Sequence, residues 1–367
     1  MRSARTDVGT VDDLHASATR LTGLDDFGAD DYRDGLVELL RSYREEAALT
    51  PQGSKVSRGF LRAALVSRLL SEAAWRQFPE HAEVPVRRPV FVTGLPRSGT
   101  TALHRLLAAD PAHQGLELWL TEAPQPRPPR ETWDEHPVYA MLRAGYERAD
   151  PALLGAHHIA ADQVEECWRL LRQSMMSVSF ECLAHLPGYS AWLAGQDWTV
   201  AYRRHRRNLQ LIGLPDRGRR WVLKNPSHLF ALDALLTAYP DAVVIQTHRA
   251  PRTVIASVCS LNARASAGWS PLFRGAVLGR AQLDLWSRGL RKFAADRARH
   301  DPAHFIDVDY DDFVADPQAT LDLIHDRLGT PPGRVSMPPP SGPAHRYDLA
   351  DFGLTAADVD AAFSRSG

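Results

Sequence analysis

Apolar positions in the first 85 or so residues recur at three- and four-residue intervals: Leu36, Leu39 and Leu40 mark one stripe, and Phe60, Leu61, Leu65, Leu69 and Leu70 another. That spacing puts one apolar face on each of several helices, so the pattern predicts a helical N-terminal layer. The pattern changes at Pro85. VPVRRPVFVTG is a short, β-branched apolar run bounded by Pro and Gly, which predicts a strand buried on both faces; a helix is expected from Thr100 to Ala109, ending before Asp110-Pro111.

The strand-then-helix unit repeats. RRWVLK (219–224) leads into SHLFALDALLTAY, DAVVIQTHR (241–249) leads into RTVIASVCSL, and HFIDVDY (304–310) supplies a further strand. Strands alternating with helices imply an α/β fold with a central parallel sheet flanked by helices. Between the first and second units lies an insertion, roughly 120–215, mostly helical, rich in Trp, Arg and His, with the Pro-rich loop APQPRPPRETW near its start. An insertion of this size on the edge of an α/β core builds a lid or a binding pocket. The expectation is a single domain over 1–367: a helical layer over 1–85, an α/β core with its insertion over 86–330, and a C-terminal segment over 331–367 that begins with a loop around PPPSGP (338–343).

Composition narrows the class. A chain of 367 residues with 44% hydrophobic content can bury one large core, and a disordered or fibrous reading fails. A formal net charge of −1 provides no overall field to draw the chain to nucleic acid or to an anionic membrane. The N-terminus has no apolar signal region and no apolar run approaches the about 18 residues of a membrane span, so a soluble, cytoplasmic protein is expected. Cys167, Cys182 and Cys259 are widely spaced with no CxxC pair, which argues for reduced core thiols rather than a disulfide framework or a zinc knuckle. Lys55, Lys224 and Lys292 are the only lysines in a chain rich in arginine, so a lysine at a conspicuous place is informative.

The sharpest local feature is PVFVTGLPRSGTTALHRLL, where Gly94, Leu95, Pro96, Arg97, Ser98, Gly99, Thr100 and Thr101 sit between a buried strand and a helix. Glycines at these places let successive N–H groups turn inward, and the helix N-terminus adds partial positive charge, which together make an anion cradle. Against the nucleotide triphosphatase pattern G-x-x-x-x-G-K-[ST] the glycine spacing agrees, but Thr100 stands where the lysine belongs, and Arg97 offers a cation from elsewhere. The strand AVVIQTHR ends in polar and basic residues rather than in an Asp for Mg²⁺, so metal-assisted ATP or GTP hydrolysis is disfavoured. A sulfuryl group in transfer carries less negative charge than a phosphoryl group, and fixed donors with one or two cations can suffice.

On these residues the loop resembles the 5′-phosphosulfate loop of the sulfotransferase superfamily, and THRAPRTVIASVCS is similar to that family's 3′-phosphate segment; the likeness covers roughly 86–330 and is closest to the bacterial branch. It implies 3′-phosphoadenosine 5′-phosphosulfate as co-substrate, no metal, and 3′-phosphate contacts from Arg249 and Ser257. An Arg fork and a Ser hydroxyl on one helix face suit a phosphate dianion on chemical grounds as well. Lys224, at the end of RRWVLK, resembles the lysine of Golgi-type enzymes that would meet the charge on the departing bridging oxygen. Two residues compete for the base: Glu117 in HQGLELW resembles the Glu of tyrosylprotein and heparan sulfotransferases, and His228 in LKNPSHLF resembles the Lys-Thr-His segment of cytosolic enzymes.

Further expectations are less specific. Tyr310 resembles a family tyrosine near the nucleotide, which implies a place against adenine, with core packing as the alternative; HRYDLADFGLT (345–355) resembles a segment that closes over the nucleotide in relatives, which implies Arg346 as a second 3′-phosphate contact. His157, His158, Asp162, Glu165, Glu166 and Cys167 lack the i, i+4 spacing of a zinc helix and read as part of an acceptor pocket or as structural. Trp119, Trp168, Trp192 and Trp198 could line an apolar acceptor site. The acceptor, a small molecule or glycolipid carrying a hydroxyl or amine, and the oligomeric state are not legible. The rival readings are a kinase or hydrolase with a degenerate phosphate loop and a non-catalytic nucleotide-binding module.

Overall fold

Five parallel strands order as β2-β3-β1-β4-β5 in one sheet: β1 (Val90–Gly94), β2 (His113–Gln114), β3 (Arg220–Lys224), β4 (Val243–His248) and β5 (Phe305–Asp309). The computed structural model describes residues 5–148, 160–331 and 347–364. The described residues group into two compact units, one of those within 1–86, 116–217 and 261–277, the other of those within 87–115, 218–260 and 278–367.

The sheet belongs to the second unit. β1 is central and fully buried, with Val90, Phe91 and Val92 paired to Val222, Leu223 and Lys224 on one side and to Val243, Val244 and Ile245 on the other. β-branched side chains pointing to both faces meet a helical cover made in part by Leu103, Leu106, Leu107, Leu321, Ile324 and Leu328, as expected for a parallel sheet. Four strands fall where the apolar runs predict them. β2 is a two-residue edge strand whose N–H and C=O groups find partners only because β3 lies beside it.

Two boundaries differ from the pattern reading. Tyr310 does not end β5 but begins the helix Tyr310–Ala315, because the Asp309 carboxylate caps it by accepting from the N–H of Asp311 at 2.8 Å. The segment after Lys224 is not one helix: Asn225 accepts from the Ser227 N–H and starts a 3₁₀ turn over Pro226–Phe230, after which a helix runs Leu232–Ala238. The C-terminal segment, a 3₁₀ turn Leu349–Phe352 and helix Ala356–Ser364, is tied to this unit by ion pairs Asp360–Arg252 and Asp358–Arg280.

The first unit is helical, as the leucine spacing predicts. It includes α1 (Val11–Thr22), opened by a capping box between Thr10 and Asp13, α2 (Arg33–Glu45) and the long α3 (Pro51–Gln77), capped by Thr50 with Pro51 in its first turn. The insertion contributes further helices, among them Leu118–Glu122, Pro137–Arg148, Trp168–Arg172, Pro187–Ala194 and Thr199–Ile212.

An arginine anchors this unit. Arg68 on α3 is 0% exposed, and its guanidinium donates to the carbonyls of Phe27 (2.6 Å), Ala29 (2.6 Å) and Gln173 (3.0 Å) and to the Asp31 carboxylate (2.6 Å) while lying over the Tyr32 ring. Gln173, itself 0% exposed, accepts through its side-chain oxygen from Arg204 Nε (2.8 Å) and Ser71 Oγ (3.1 Å) and donates to Ser67 Oγ (2.8 Å). A buried network of this kind stabilises only when complete, since a missing donor leaves several desolvated acceptors. Arg68→Ala is expected to lower the stability of the helical unit by about 3–5 kcal/mol, read as a shift of the urea midpoint; Arg68→Lys, with fewer donors, recovers only part of it.

Candidate functional site

The chain leaving β1 must reverse tightly to enter α4 (Thr100–Ala108), and it does so through three left-handed or unusual residues: Gly94 at φ 143°, Arg97 at φ 67° and Gly99 at φ 84°. Gly94 admits no side chain, because a Cβ there would fall on the Thr247 side chain and within 2.6 Å of its carbonyl oxygen. Arg97 is not a glycine, so its positive φ is strained backbone held by its surroundings. Gly99 is the N-cap and supplies no side-chain acceptor, so no side chain caps the first N–H groups of α4. Donors of this kind at the C-terminal edge of a parallel sheet suit an anionic group.

Side chains from distant parts of the chain fix this loop. Ser98 Oγ bonds the Leu95 carbonyl at 2.5 Å and Thr247 Oγ1 at 2.6 Å, and Thr247 Oγ1 donates to the Thr93 carbonyl at 3.3 Å. Arg249, one residue past the end of β4, donates to the carbonyl of Arg97 at 2.6 Å and lies over the Tyr310 ring, its Cζ 3.8 Å from the centroid. Arg97 turns its own side chain toward Ser257, Nε to Oγ 3.2 Å, on the helix Pro251–Ala265. Arg97, Arg249, Ser257 and Tyr310 thus form one cluster past the C-terminal ends of β1, β4 and β5, where ligand sites of open parallel sheets lie. The sequence reading aimed Arg97 at the 5′ side, whereas its side chain reaches the residue expected at the 3′-phosphate.

Lys224 ends β3. It is 2% exposed and its ammonium donates to Thr101 Oγ1 at 3.0 Å, on the first turn of α4. His228, four residues on, is fully buried in the 3₁₀ turn and meets the Phe91 ring edge to face at a centroid distance of 5.0 Å. Pro96, the remaining loop residue of the motif, is half-buried between Leu95 and Arg97.

Glu117 stands in the helical unit as the residue before helix Leu118–Glu122. Its carboxylate, 15% exposed, accepts from Arg127 Nε at 3.1 Å, and Arg127 also pairs with Asp216 at 2.5 Å. The backbone around Glu117 forms an antiparallel bridge with Val164, with bonds from Leu118 N to Gln163 O and from Glu165 N to Leu116 O. The polar stretch Asp162, Glu165 and Glu166 is thereby drawn beside Glu117, while Asp162 pairs with Arg130 at 3.2 Å. His157, His158 and Arg346 lie outside the described residues. Among the described residues no group of three or more His, Cys, Asp or Glu is placed to hold a metal ion, and no helix is long and apolar enough to cross a membrane.

The four tryptophans divide. Trp119 and Trp198 are core, 0% and 4% exposed, and Trp119 packs against Trp133, His136 and Tyr139; Trp168 carries the Arg172 guanidinium over its ring at 3.8 Å; Trp192 stacks on Tyr189. Sequence reasoning did not reach Thr247 or Arg127. A lone Thr in TH before an Arg, and an Arg in a Pro-rich loop, carry no local pattern that distinguishes them from surface residues.

The sulfotransferase family profile matches residues 89–332. The sulfotransferase STF1 of Mycobacterium tuberculosis H37Rv, known from a crystal structure, is 56% identical with a TM-score of 0.91, the match covering 98% of this chain and 100% of that one. The sulfotransferase STF9 of Mycobacterium avium is 25% identical with a TM-score of 0.85, covering 100% of this chain and 97% of that one. The omega-hydroxy-beta-dihydromenaquinone-9 sulfotransferase Stf3 of Mycobacterium tuberculosis (strain CDC 1551 / Oshkosh) is 28% identical over 66% of this chain, and the match spans 62% of that relative's length. With the family profile matched across the α/β core and 56% identity to a sulfotransferase over 98% of its length, the chain belongs to the sulfotransferase family.

Proposed function

We propose that the chain transfers a sulfuryl group from 3′-phosphoadenosine 5′-phosphosulfate to a hydroxyl or amine of an acceptor, directly and in line. The observation that carries this reading is the cluster that joins Arg97, Arg249 and Ser257 to the Gly94–Thr101 loop. It couples a cradle suited to a 5′-phosphosulfate with an Arg and Ser pair suited to a 3′-phosphate, and a nucleotide lacking the 3′-phosphate would leave that second group of donors unused. The Mg²⁺-dependent alternative lacks support in the loop, where Thr100 occupies the lysine position.

Each residue then has a chemical part. Loop N–H groups with Ser98, Thr100 and Thr101 bind the phosphosulfate, and Arg249 and Ser257 bind the 3′-phosphate, with Tyr310 held beside Arg249. Lys224, poised on Thr101 Oγ1, meets the negative charge that develops on the oxygen leaving sulfur. Such charge stabilisation by a preorganised, largely buried cation acts in the transition state more than in the ground state. The proton of the acceptor falls to Glu117, whose carboxylate is oriented by Arg127 and remains partly open to solvent. Complete burial and packing on Phe91 favour a structural part for His228 at the exit of β3.

For the acceptor, the 28% identical relative that acts on omega-hydroxy-beta-dihydromenaquinone-9 makes lipid-like hydroxyl compounds the first class to test. The donor class is tested by titrating adenosine 3′,5′-bisphosphate in EDTA by calorimetry, with AMP and Mg²⁺-ATP as controls. Metal-free binding that depends on the 3′-phosphate is expected, weakened in Arg249→Ala by roughly 10- to 100-fold, as for loss of a charge-assisted phosphate contact; preference for Mg²⁺-ATP refutes the proposal. Lys224→Ala is expected to lower kcat by about 10²–10³ at saturating donor, and near-native turnover would remove Lys224 from the mechanism. Glu117→Gln is expected to lower kcat by about 10²–10⁴ while leaving the dissociation constant of the bisphosphate within about twofold.

A further inference from the structure

The helical unit contains a cavity of about 470 Å³ between one face of α3 and one face of the helix Thr199–Ile212. Helical spacing explains its walls: α3 offers positions 68, 72 and 75, and the facing helix offers 200, 203, 204 and 207. At its base the charges are matched. Arg68 pairs with Asp31 at 2.6 Å and Arg204 pairs with Glu72 at 2.6 Å, so both carboxylates in the wall are already engaged by buried guanidinium groups.

Two further arginines of the walls make no salt bridge among the described residues, although Arg203 lies close enough to Asp197 to interact with it through charge. Arg203 is exposed and makes no hydrogen bond or ion pair among the described residues; Arg207 is exposed, donates to the His81 ring at 3.2 Å and lies over Trp75, its Cζ 4.0 Å from the ring centroid. Trp75 is 3% exposed, yet its indole N–H finds no acceptor in the protein. Arg204 also lies over this ring at 4.5 Å, and burial pulls its guanidinium down to about 10. An added anion would oppose that loss, give Arg203 and Arg207 a partner, and place an acceptor within the same walls as an unpaired donor. A buried unpaired N–H is costly to keep unless something completes it, while the exposed guanidinium groups of Arg203 and Arg207 keep their hydration and are accessible to an incoming anion.

From this geometry we infer that the cavity is a second anion site, separate from the phosphate loop in its residues, that takes a phosphate dianion with Arg203, Arg207 and Trp75 as its principal contacts. Arginine suits the ligand because its planar fork meets two phosphate oxygens at once, and the aromatic wall accommodates the carbon portion of an ester. The volume lies within the range of sites for small organic ligands.

The test is calorimetric titration of the full chain with phenyl phosphate and, separately, with inorganic phosphate. Three proteins are compared: native, Arg203→Ala/Arg207→Ala, and the control Arg206→Ala, which removes an exposed positive charge of the same helix outside the cavity. The double variant is expected to lose one class of binding event, its dissociation constant rising at least tenfold, while Arg206→Ala stays within twofold of native. Both altered arginines are exposed, so folding is retained and is checked by circular dichroism. Tighter binding of phenyl phosphate than of inorganic phosphate identifies an organic ester as the occupant; equal affinity identifies free phosphate. Superimposable isotherms for native protein and the double variant, or an equal loss in Arg206→Ala, overturn the proposal.

Discussion

The hydrogen bond from Arg249 to the carbonyl of Arg97 is the constraint on which the site rests. A backbone that turns through positive φ at Gly94, Arg97 and Gly99 does not hold that shape on local preference alone, because Arg97 is disfavoured there. Tying the Arg97 carbonyl to the residue after β4, and its side chain to Ser257, fixes the turn from two directions. Pairing of all of β1 with β4 sets Thr247 opposite Gly94, and the absence of a side chain on Gly94 lets the two backbones close. The shape of the turn is thus a property of two adjacent strands, not of a loop alone.

Burial does the same work for the cation. A lysine next to solvent holds one position weakly, since a long flexible side chain loses much rotamer freedom on ordering. Lys224 is 2% exposed at the end of β3 and bonded to Thr101, so its ammonium is already confined. Its neighbour in the parallel register, Val92, belongs to β1, which means that strand pairing carries both Lys224 and the Gly94–Thr101 turn to the same edge of the sheet. His104 helps from the other side of the turn, its ring bonded to the Val222 carbonyl at 3.1 Å.

The helical unit is organised by a different rule. Its interior contains guanidinium groups from Arg68, Arg172 and Arg204, each given hydrogen bonds or aromatic faces in place of water. Arg172 shows the tension most plainly: enclosed among the rings of Phe60, Trp168 and Phe180, its guanidinium is drawn down to about 9 by burial. Aromatic faces offset part of the lost hydration of a cation but not all of it. A unit that sequesters so much positive charge needs oxygen atoms in fixed places, which is why the carbonyls of Phe27, Ala29 and Gln173 converge on Arg68.

Four of the five strands, the helices of the N-terminal layer and the tight glycine turn between β1 and α4 were legible in the sequence, because each follows from a short-range rule. Buried parallel strands read as β-branched runs between Gly and Pro, amphipathic helices as a three-to-four spacing, and a tight turn as glycines at fixed steps between the two. β2 is not legible, since two residues make no pattern, and the run over 304–310 extends the expected strand to Tyr310, past the Asp309 cap that ends it. What only the tertiary structure decided is which charges meet. That Arg97 turns to Ser257, that Arg127 joins Glu117 to Asp216, and that Arg68 and Arg204 lie inside while Arg203 and Arg207 stay out all depend on residues far apart in the chain. Periodicity is local and survives in one dimension; the free energy of burying a charge is set by every oxygen and ring around it, and those assemble only when the chain has folded.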